Sequence, residues 1–191
     1  MKKIENIKSH LLLGFVATLF TILLAGCSSM DIKQYQNATP KLDLFSYFEG
    51  ETQAWGQFQD RSGLVIRHFS VDITGTVNGD TLVLDERFVY NDGEKEQRVW
   101  TIIKTAEGQF VGRAGDVIGE AKGQSAGNAF NWSYTLDLPY KESSIHVKFD
   151  DWMFLHSDSK MMNRAEVTKW GFKVGEVTLF FNKPSANSGE F

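Results

Sequence analysis

Hydrophobic and polar residues alternate one by one along most of the chain, most clearly between residues 129 and 138. There apolar side chains occupy every second position and alternate with asparagine, serine, threonine and aspartate. A period of two separates the side chains onto the two faces of a β-strand. The segment is therefore predicted to form a strand whose buried face consists of Phe130, Trp132, Tyr134, Leu136 and Leu138.

The same alternation, interrupted by turn residues about every ten positions, predicts strands through nearly all of the remaining chain. One of these strands carries Arg98 and Trp100, and only residues 41–48 suit a short helix. The other predicted strands cover residues 51–59, 64–77, 81–90, 109–114, 117–122, 144–156, 161–172 and 176–182.

Two consecutive hairpins are predicted after residue 77. Asn78-Gly79-Asp80 is typical of a tight hairpin turn, and Gly93 suits the left-handed position of a three-residue loop that begins at Asn91. Two apolar pairs and one charge pair would then share one face, which supports this register. The pairs are Leu82 with Ile102, Leu84 with Trp100, and Glu86 with Arg98.

These patterns predict an all-β domain over residues 41–183, with nine or ten antiparallel strands joined by short turns. A long meander of this kind usually closes on itself, because closure removes the exposed edge strands. The predicted fold is an up-and-down, lipocalin-like barrel of about eight to ten strands, whose interior is wide enough for a small ligand. The alternative is a β-sandwich with a filled core.

The first 26 residues have the organisation of a bacterial lipoprotein signal peptide. Lysines precede a mostly apolar run over residues 11–25, and Leu24-Ala25-Gly26-Cys27 resembles a lipobox. Cleavage before Cys27 would leave a lipidated cysteine, a polar tether over residues 27–40, and a membrane partner reached through the acyl chains. Ser28 and Ser29 favour the periplasmic face of the outer membrane. An uncleaved anchor helix is the alternative.

Composition and charge narrow the function classes. The 191 residues are 42% hydrophobic and 13% aromatic, which excludes a disordered chain. Acidic residues outnumber basic ones by 24 to 20, so the chain lacks the broad cationic surface that a nucleic-acid partner requires. The anchor would use the single cysteine, leaving no disulfide. Residues 184–191 are expected to form a flexible tail.

No catalytic or metal-binding motif is evident, so no catalytic residue, metal or cofactor is predicted. The histidines after the leader are far apart in sequence, and no serine lies in a nucleophile elbow. Asp150 and Asp151 would point to opposite faces of a strand, one inward toward a buried base and one into water. Gly112, Gly115 and Gly119 indicate a tight turn near which Arg113 and Asp116 pair, because no helix follows to bind a phosphate.

Glu86 and Arg98 are the most informative polar residues because both lie among apolar side chains. They could form a structural ion pair. Alternatively, Arg98, with Arg67 or Arg113, could bind the carboxylate or phosphate head of an amphiphile. Its tail would then lie along the aromatic face, so the candidate ligand-binding residues are Glu86, Arg98, Trp100, Phe130, Trp132 and Tyr134.

Several separated blocks resemble a family of proteobacterial lipoproteins, domain of unknown function 3833. The blocks are Ala54-Trp55-Gly56, Arg98-Val99-Trp100, residues 112–119, Asp150-Asp151-Trp152-Met153, Asn163-Arg164-Ala165 and Lys169-Trp170-Gly171. The resemblance spans residues 42–181 and implies a lipocalin-like barrel. Genes of the family often lie near those of fatty-acid-modifying enzymes, which implies lipid handling. It implies no catalytic residues.

Three functions follow as hypotheses. The first is a lipoprotein whose barrel binds a fatty-acyl or other amphiphilic ligand. The second is a lipid-modifying enzyme with Glu86, Asp150 or Asp151 as acid or base. The third is an envelope interaction protein with a filled barrel, whose protein partners the sequence does not identify.

Overall fold

A computed structural model of the chain describes residues 30–140 and 142–184. Ten antiparallel strands follow one another in it, and β1 pairs with β10 to close a barrel. Closure confirms the predicted up-and-down barrel and shows that the sandwich alternative is wrong. The strands are β1 Gly50–Asp60, β2 Val65–Asn78, β3 Thr81–Tyr90, β4 Lys95–Ala106, β5 Gln109–Arg113, β6 Ala121–Ala126, β7 Ala129–Tyr140, β8 Ser143–Ser157, β9 Lys160–Lys169 and β10 Phe172–Asn182.

The signal peptide, Cys27 and all of the tail except Pro184 lie outside the described residues. Within the described part of the chain, no helix has both the length and the apolar character needed to cross a membrane. The described residues from Ile32 to Pro184 belong to one compact unit.

The two predicted hairpins are present with the predicted register. Leu82, Leu84 and Glu86 of β3 lie opposite Ile102, Trp100 and Arg98 of β4. Gly79 and Gly93 both have positive φ angles, of 57° and 85°, which a residue without a side chain adopts without strain. The alternating apolar positions and these turn glycines therefore suffice to set this part of the sheet.

Three strand predictions are wrong in their bounds. Residues 117–122 do not form a strand: β6 begins at Ala121, because the chain turns at Gly119 with a φ of 71° and Val117 makes only an isolated bridge to Leu136. The strand predicted over residues 161–172 ends at Lys169. Trp170 and Gly171 both have positive φ angles and form a tight turn, so β10 begins at Phe172 rather than at residue 176.

One end of the barrel is closed by a short helix, α1, which spans Leu44–Phe48 within the predicted helical segment. Asp43 caps its N-terminus by accepting a hydrogen bond from the Ser46 amide at 2.9 Å. The Phe48 ring meets Phe181 of β10 edge to face, with ring centroids 5.7 Å apart. A Cβ on Gly75 would lie 1.8 Å from the Phe48 carbonyl oxygen, so the helix seats only over a glycine.

The predicted tether is shorter than expected. Residues Ile32–Tyr35 form a 3-10 helix on the outer wall, where Ile32 is buried against Ala129 and Trp152. The Leu42 amide donates a hydrogen bond to the Gly127 carbonyl oxygen at 2.8 Å. The chain therefore packs on the barrel from Ile32 onward, because an apolar patch outside the barrel is available to cover.

The turns divide into two groups because the strands alternate in direction. The β2–β3, β4–β5, β6–β7 and β8–β9 turns lie with α1 at what we call the plugged end. The other five connections, at residues 61–64, 91–94, 114–120 and 170–171 and between β7 and β8, lie at the opposite end, which we call the mouth.

Candidate ligand-binding cavity

The inner faces of the strands enclose a cavity of about 1080 Å³. Leu44 and Phe48 of α1 line its base, and Glu94 and Pro139 line it near the mouth. Pockets that hold small molecules usually measure about 300–1,000 Å³, so this one has room for a sizeable ligand. The barrel is therefore hollow rather than filled.

Aromatic rings from neighbouring strands form one connected cluster on the cavity wall. Trp100 of β4 contacts Trp132 and Tyr134 of β7, with centroid distances of 5.5 and 5.3 Å. Phe130 stacks against Trp132 at 5.5 Å, and Tyr134 stacks against Phe149 at 5.0 Å. The aromatic face predicted from alternation thus lies inside the barrel and lines the cavity.

Two glycines make room for the Trp132 ring. A Cβ on Gly112 of β5 would lie 2.6 Å from the indole, and one on Gly123 of β6 would lie 2.5 Å from it. Trp132 therefore lies across two neighbouring strands that have no side chains beneath its ring. Gly112 serves this close approach within a strand and is not part of the turn to which the sequence assigned it.

The Arg98 side chain enters the cavity but does not pair with Glu86. Its Nε lies 2.9 Å from Asp116 Oδ2 and its Nη2 lies 2.6 Å from the same oxygen, while Glu96 Oε1 lies 3.5 Å from Nη2. The predicted Glu86–Arg98 ion pair and the predicted Arg113–Asp116 pair are both wrong. The β5–β6 loop brings Asp116 over Arg98, which register alone does not reveal.

Glu86 faces the cavity beside Arg98 and has no ion-pair partner within 4.0 Å among residues 30–140 and 142–184. Burial raises the pKa of its carboxyl to about 7, and the negative charge of Asp116 adds to this effect. The positive charge of Arg98 and a hydrogen bond from the Trp100 indole oppose it without cancelling it. Glu86 therefore titrates near neutrality.

Asp151 of β8 points inward and is 7% exposed, whereas its neighbour Asp150 is exposed outside the barrel. This is the predicted split of the two carboxylates, but no base meets the inner one. Asp151 instead accepts hydrogen bonds from the Asn163 amide and, at 3.4 Å, from the Tyr134 hydroxyl. Burial raises the pKa of Asp151 to about 7, and the charge of Glu86 contributes to the increase.

The two further arginines considered from the sequence have different positions. Arg67 lines the cavity near the mouth, where its guanidinium lies over the Tyr90 ring and pairs with Asp92 and Glu94. Arg113 lies on the outside and pairs with Glu120. The cavity therefore contains two of the three candidate head-group residues.

Sequence reasoning missed five polar residues that line the cavity: Glu94, Glu96, Asp116, Asp137 and Asn163. Asn163 is 2% exposed and lies on the inner face of β9 with Met161, Ala165 and Val167. In the sequence, Asn163 occupies one of the alternating positions that are otherwise apolar, and this pattern could have identified it as an inward-facing polar residue. Asp116 gave no comparable signal, because it lies in a loop whose path depends on the closed barrel.

A closed, up-and-down antiparallel barrel around a cavity belongs to the class of lipocalin-like barrels. Within that class, the chain belongs to the family described as protein of unknown function (DUF3833), whose pattern it matches over residues 21–183. This confirms the family resemblance drawn from its sequence blocks.

Two solved structures share the fold at low sequence identity. A DUF3598 family protein of unknown function from Nostoc punctiforme PCC 73102 superposes with a TM-score of 0.58 and 11% identity. The match covers 76% of this chain and 51% of that protein, so the chain spans about half of its length. The S-type phycobiliprotein lyase CPES from Guillardia theta gives a TM-score of 0.56 and 8% identity over 82% of this chain and 99% of the lyase. A search of the curated proteins found no match.

Proposed function

We propose that the barrel binds an amphiphilic ligand, such as one with a fatty-acyl chain, and that a lipidated Cys27 holds it at the periplasmic face of the outer membrane. The observation that carries the binding function is the cavity of about 1080 Å³, walled by apolar and aromatic residues with a few polar groups among them. Concave apolar sites with few polar groups are typical of small-molecule binding. The lipobox and the serines after it support the location.

The distribution of polar groups supports an amphiphile over a purely apolar molecule. Glu86, Arg98 and Asp151 lie midway along the barrel. Apolar residues line the cavity on both sides of them, Leu84, Ile102 and Phe130 toward α1 and Leu136, Val147 and Val167 toward the mouth. A ligand that fills the cavity must therefore satisfy buried polar groups as well as apolar walls.

Mass spectrometry of the organic extract tests the binding function directly. Residues 28–191 contain the whole compact unit and can be produced without the anchor. We expect a retained amphiphile in the extract of the wild-type protein and none in Ala165→Phe, which places a ring in the cavity at a residue that is 1% exposed. Met162→Phe, on the outer face of the same strand, is the matched control. A protein that is empty and binds no acyl probe would refute the proposal.

The anchor is tested in cells with the full chain. We expect wild-type protein in the outer-membrane fraction after labelling with a clickable fatty acid, and no label on Cys27→Ser. Labelled protein in the inner-membrane fraction would contradict the location while leaving lipidation intact.

A second candidate, a lipid-modifying enzyme, is favoured by one observation. Glu86 and Asp151 face the same cavity with pKa values near 7, where a carboxyl can accept or donate a proton. Asp150 is excluded from this role because it lies outside the barrel. Glu86→Asp would abolish turnover of the retained ligand and leave the fold intact if the site is catalytic. Unchanged ligand after prolonged incubation with the wild-type protein would exclude this candidate.

A further inference from the structure

The ionic contacts inside the cavity specify the polar end of the ligand. This inference rests on the proposed ligand-binding function. The most buried arginine of the cavity, Arg98, already uses its Nε and Nη2 groups within the protein. The Asp116 carboxylate accepts hydrogen bonds from both Nε and Nη2 of Arg98, whose side chain is only 15% exposed. A carboxylate or phosphate head that bound these same two nitrogens would have to displace Asp116 and leave that carboxylate unpaired, which is costly at a buried site.

The charges around the cavity also oppose an anionic head. Among the described lining residues two are basic, Arg67 and Arg98, and each is paired with two carboxylates. Six are acidic: Glu86, Glu94, Glu96, Asp116, Asp137 and Asp151. This surplus of carboxyl groups repels anions and attracts hydrogen-bond donors and cations.

The unsatisfied groups in the centre of the cavity are acceptors. Asn163 Oδ1 is buried and has no hydrogen-bond partner, while the amide nitrogen of the same residue donates to Asp151. Asp151 and Glu86 both lack an ion-pair partner within 4.0 Å in the described part of the chain. The neighbouring donors, the Tyr134 hydroxyl and the Trp100 indole, are already directed at these two carboxyls. The Asn163 Oδ1 atom therefore lacks a donor, which a ligand would supply.

We propose that the cavity selects amphiphiles whose polar end donates hydrogen bonds, a hydroxyl or an amine, over those that end in a free carboxylate. Glu86, Asp151 and Asn163 accept these hydrogen bonds, and Arg98 keeps Asp116 in place rather than binding the ligand. A fatty-acyl ligand of the barrel is then an ester, amide or related derivative with a donor head group and not a free fatty acid.

Competition among amphiphiles of equal chain length tests this selectivity. Residues 28–191 are loaded with Nile red, a neutral probe without donor groups, and titrated with dodecan-1-ol, dodecylamine or dodecanoate. We expect the alcohol, the amine or both to displace the probe at concentrations at least tenfold below dodecanoate. Equal or stronger displacement by dodecanoate would overturn the inference. Failure of Nile red and all three competitors to bind would instead count against the proposed binding function itself.

Two neighbouring aspartates provide a matched pair of variants. Asp151→Asn keeps the size of the inner side chain but removes its charge, and we expect the preference for dodecylamine over dodecanoate to fall at least fivefold. Asp150→Asn makes the same change on the outer face of the same strand and should leave the preference unchanged. Glu86→Gln serves as a second test should Asp151→Asn fail to fold. An unchanged preference in each folded inner variant would contradict the assignment.

Discussion

The plugged end and the mouth of the barrel are built from different residues. At the plugged end, α1 buries Leu44, Tyr47 and Phe48, and the Lys183 ammonium donates to the carbonyl oxygens of Ser46, Tyr47 and Glu49 at 2.8, 2.8 and 2.7 Å. At the mouth, two turns present large apolar side chains to solvent. Leu64 is 63% exposed, Trp170 is 87% exposed and Phe172 is 75% exposed.

This difference indicates that the plugged end contributes mainly to folding stability, whereas ligand binding depends on the cavity. The plugged end contains rings and backbone groups that are satisfied within the chain, so changes there should cost folding free energy. The exposed side chains at the mouth contribute little to the folding free energy. The cavity between the two ends contains hydrogen-bond acceptors that a ligand can satisfy. The four predictions that follow test this division, from the largest expected effect to the smallest.

Removal of the Phe48 ring should give the largest loss of stability. The side chain is 3% exposed and packs against Phe181, so Phe48→Ala should lower the free energy of unfolding by about 3–5 kcal/mol. Phe172→Ala, at the mouth, should change it by no more than about 0.5 kcal/mol. Urea denaturation of the two variants measures the difference. Losses of equal size would refute the division.

The cavity carboxyls should make stability fall as pH rises. Burial raises the pKa values of Glu86 and Asp151 from 4.5 and 3.8 to about 7, so between those values the folded state binds more protons than the unfolded chain. The free energy of unfolding should therefore fall as pH rises from about 4 to 7, and it should level off only above about pH 8. The double variant Glu86→Gln, Asp151→Asn should lose this slope. Glu176, whose pKa Arg164 lowers to about 2, acts with the opposite sign and only below about pH 4.5.

Two lysines provide a comparison of intermediate size. Lys183→Met removes three hydrogen bonds to the last turn of α1 and should cost about 1–2 kcal/mol in unfolding free energy. Lys173→Met removes an ion pair with Glu176 near the mouth, where the lysine side chain is 39% exposed, and should cost no more than about 0.5 kcal/mol. A larger effect at Lys173 would show that the mouth contributes to stability.

The smallest effect is expected at the β9–β10 turn. Trp170 has a φ of 52°, a left-handed conformation that is strained for a residue with a side chain. Trp170→Gly should relieve this strain at no cost in buried area and raise the free energy of unfolding by about 0–1 kcal/mol. A loss of more than about 1 kcal/mol would show that the contact of the ring with Lys169 stabilises the turn.

Local patterns predicted the fold because each of them is read over a few residues. Alternation in 129–138 defined the aromatic face of β7, and the glycine in the loop at 91–93 set the β3–β4 register. The errors fall where a longer-range contact decides. Asp116 in the β5–β6 loop pairs with Arg98, and Ile32 and Tyr35 pack on an outer patch formed by β7 and β8.

In the candidate site, too, local pattern predicted some features and longer-range contacts decided the others. The inward direction of Glu86, Arg98 and Trp100 follows from strand parity, which the sequence alone determines because successive side chains point to opposite faces. For Asp150 and Asp151 parity predicts only opposite faces, and the structure shows that Asp151 is the inner one. The partners of these residues do not follow from it. The path of the β5–β6 loop brings Asp116 to Arg98, and the pairing of β8 with β9 brings Asn163 to Asp151, while the cavity extends from α1 to the mouth. The sequence determined which residues face inward, and only the tertiary structure decided which charges are satisfied and which remain for a ligand.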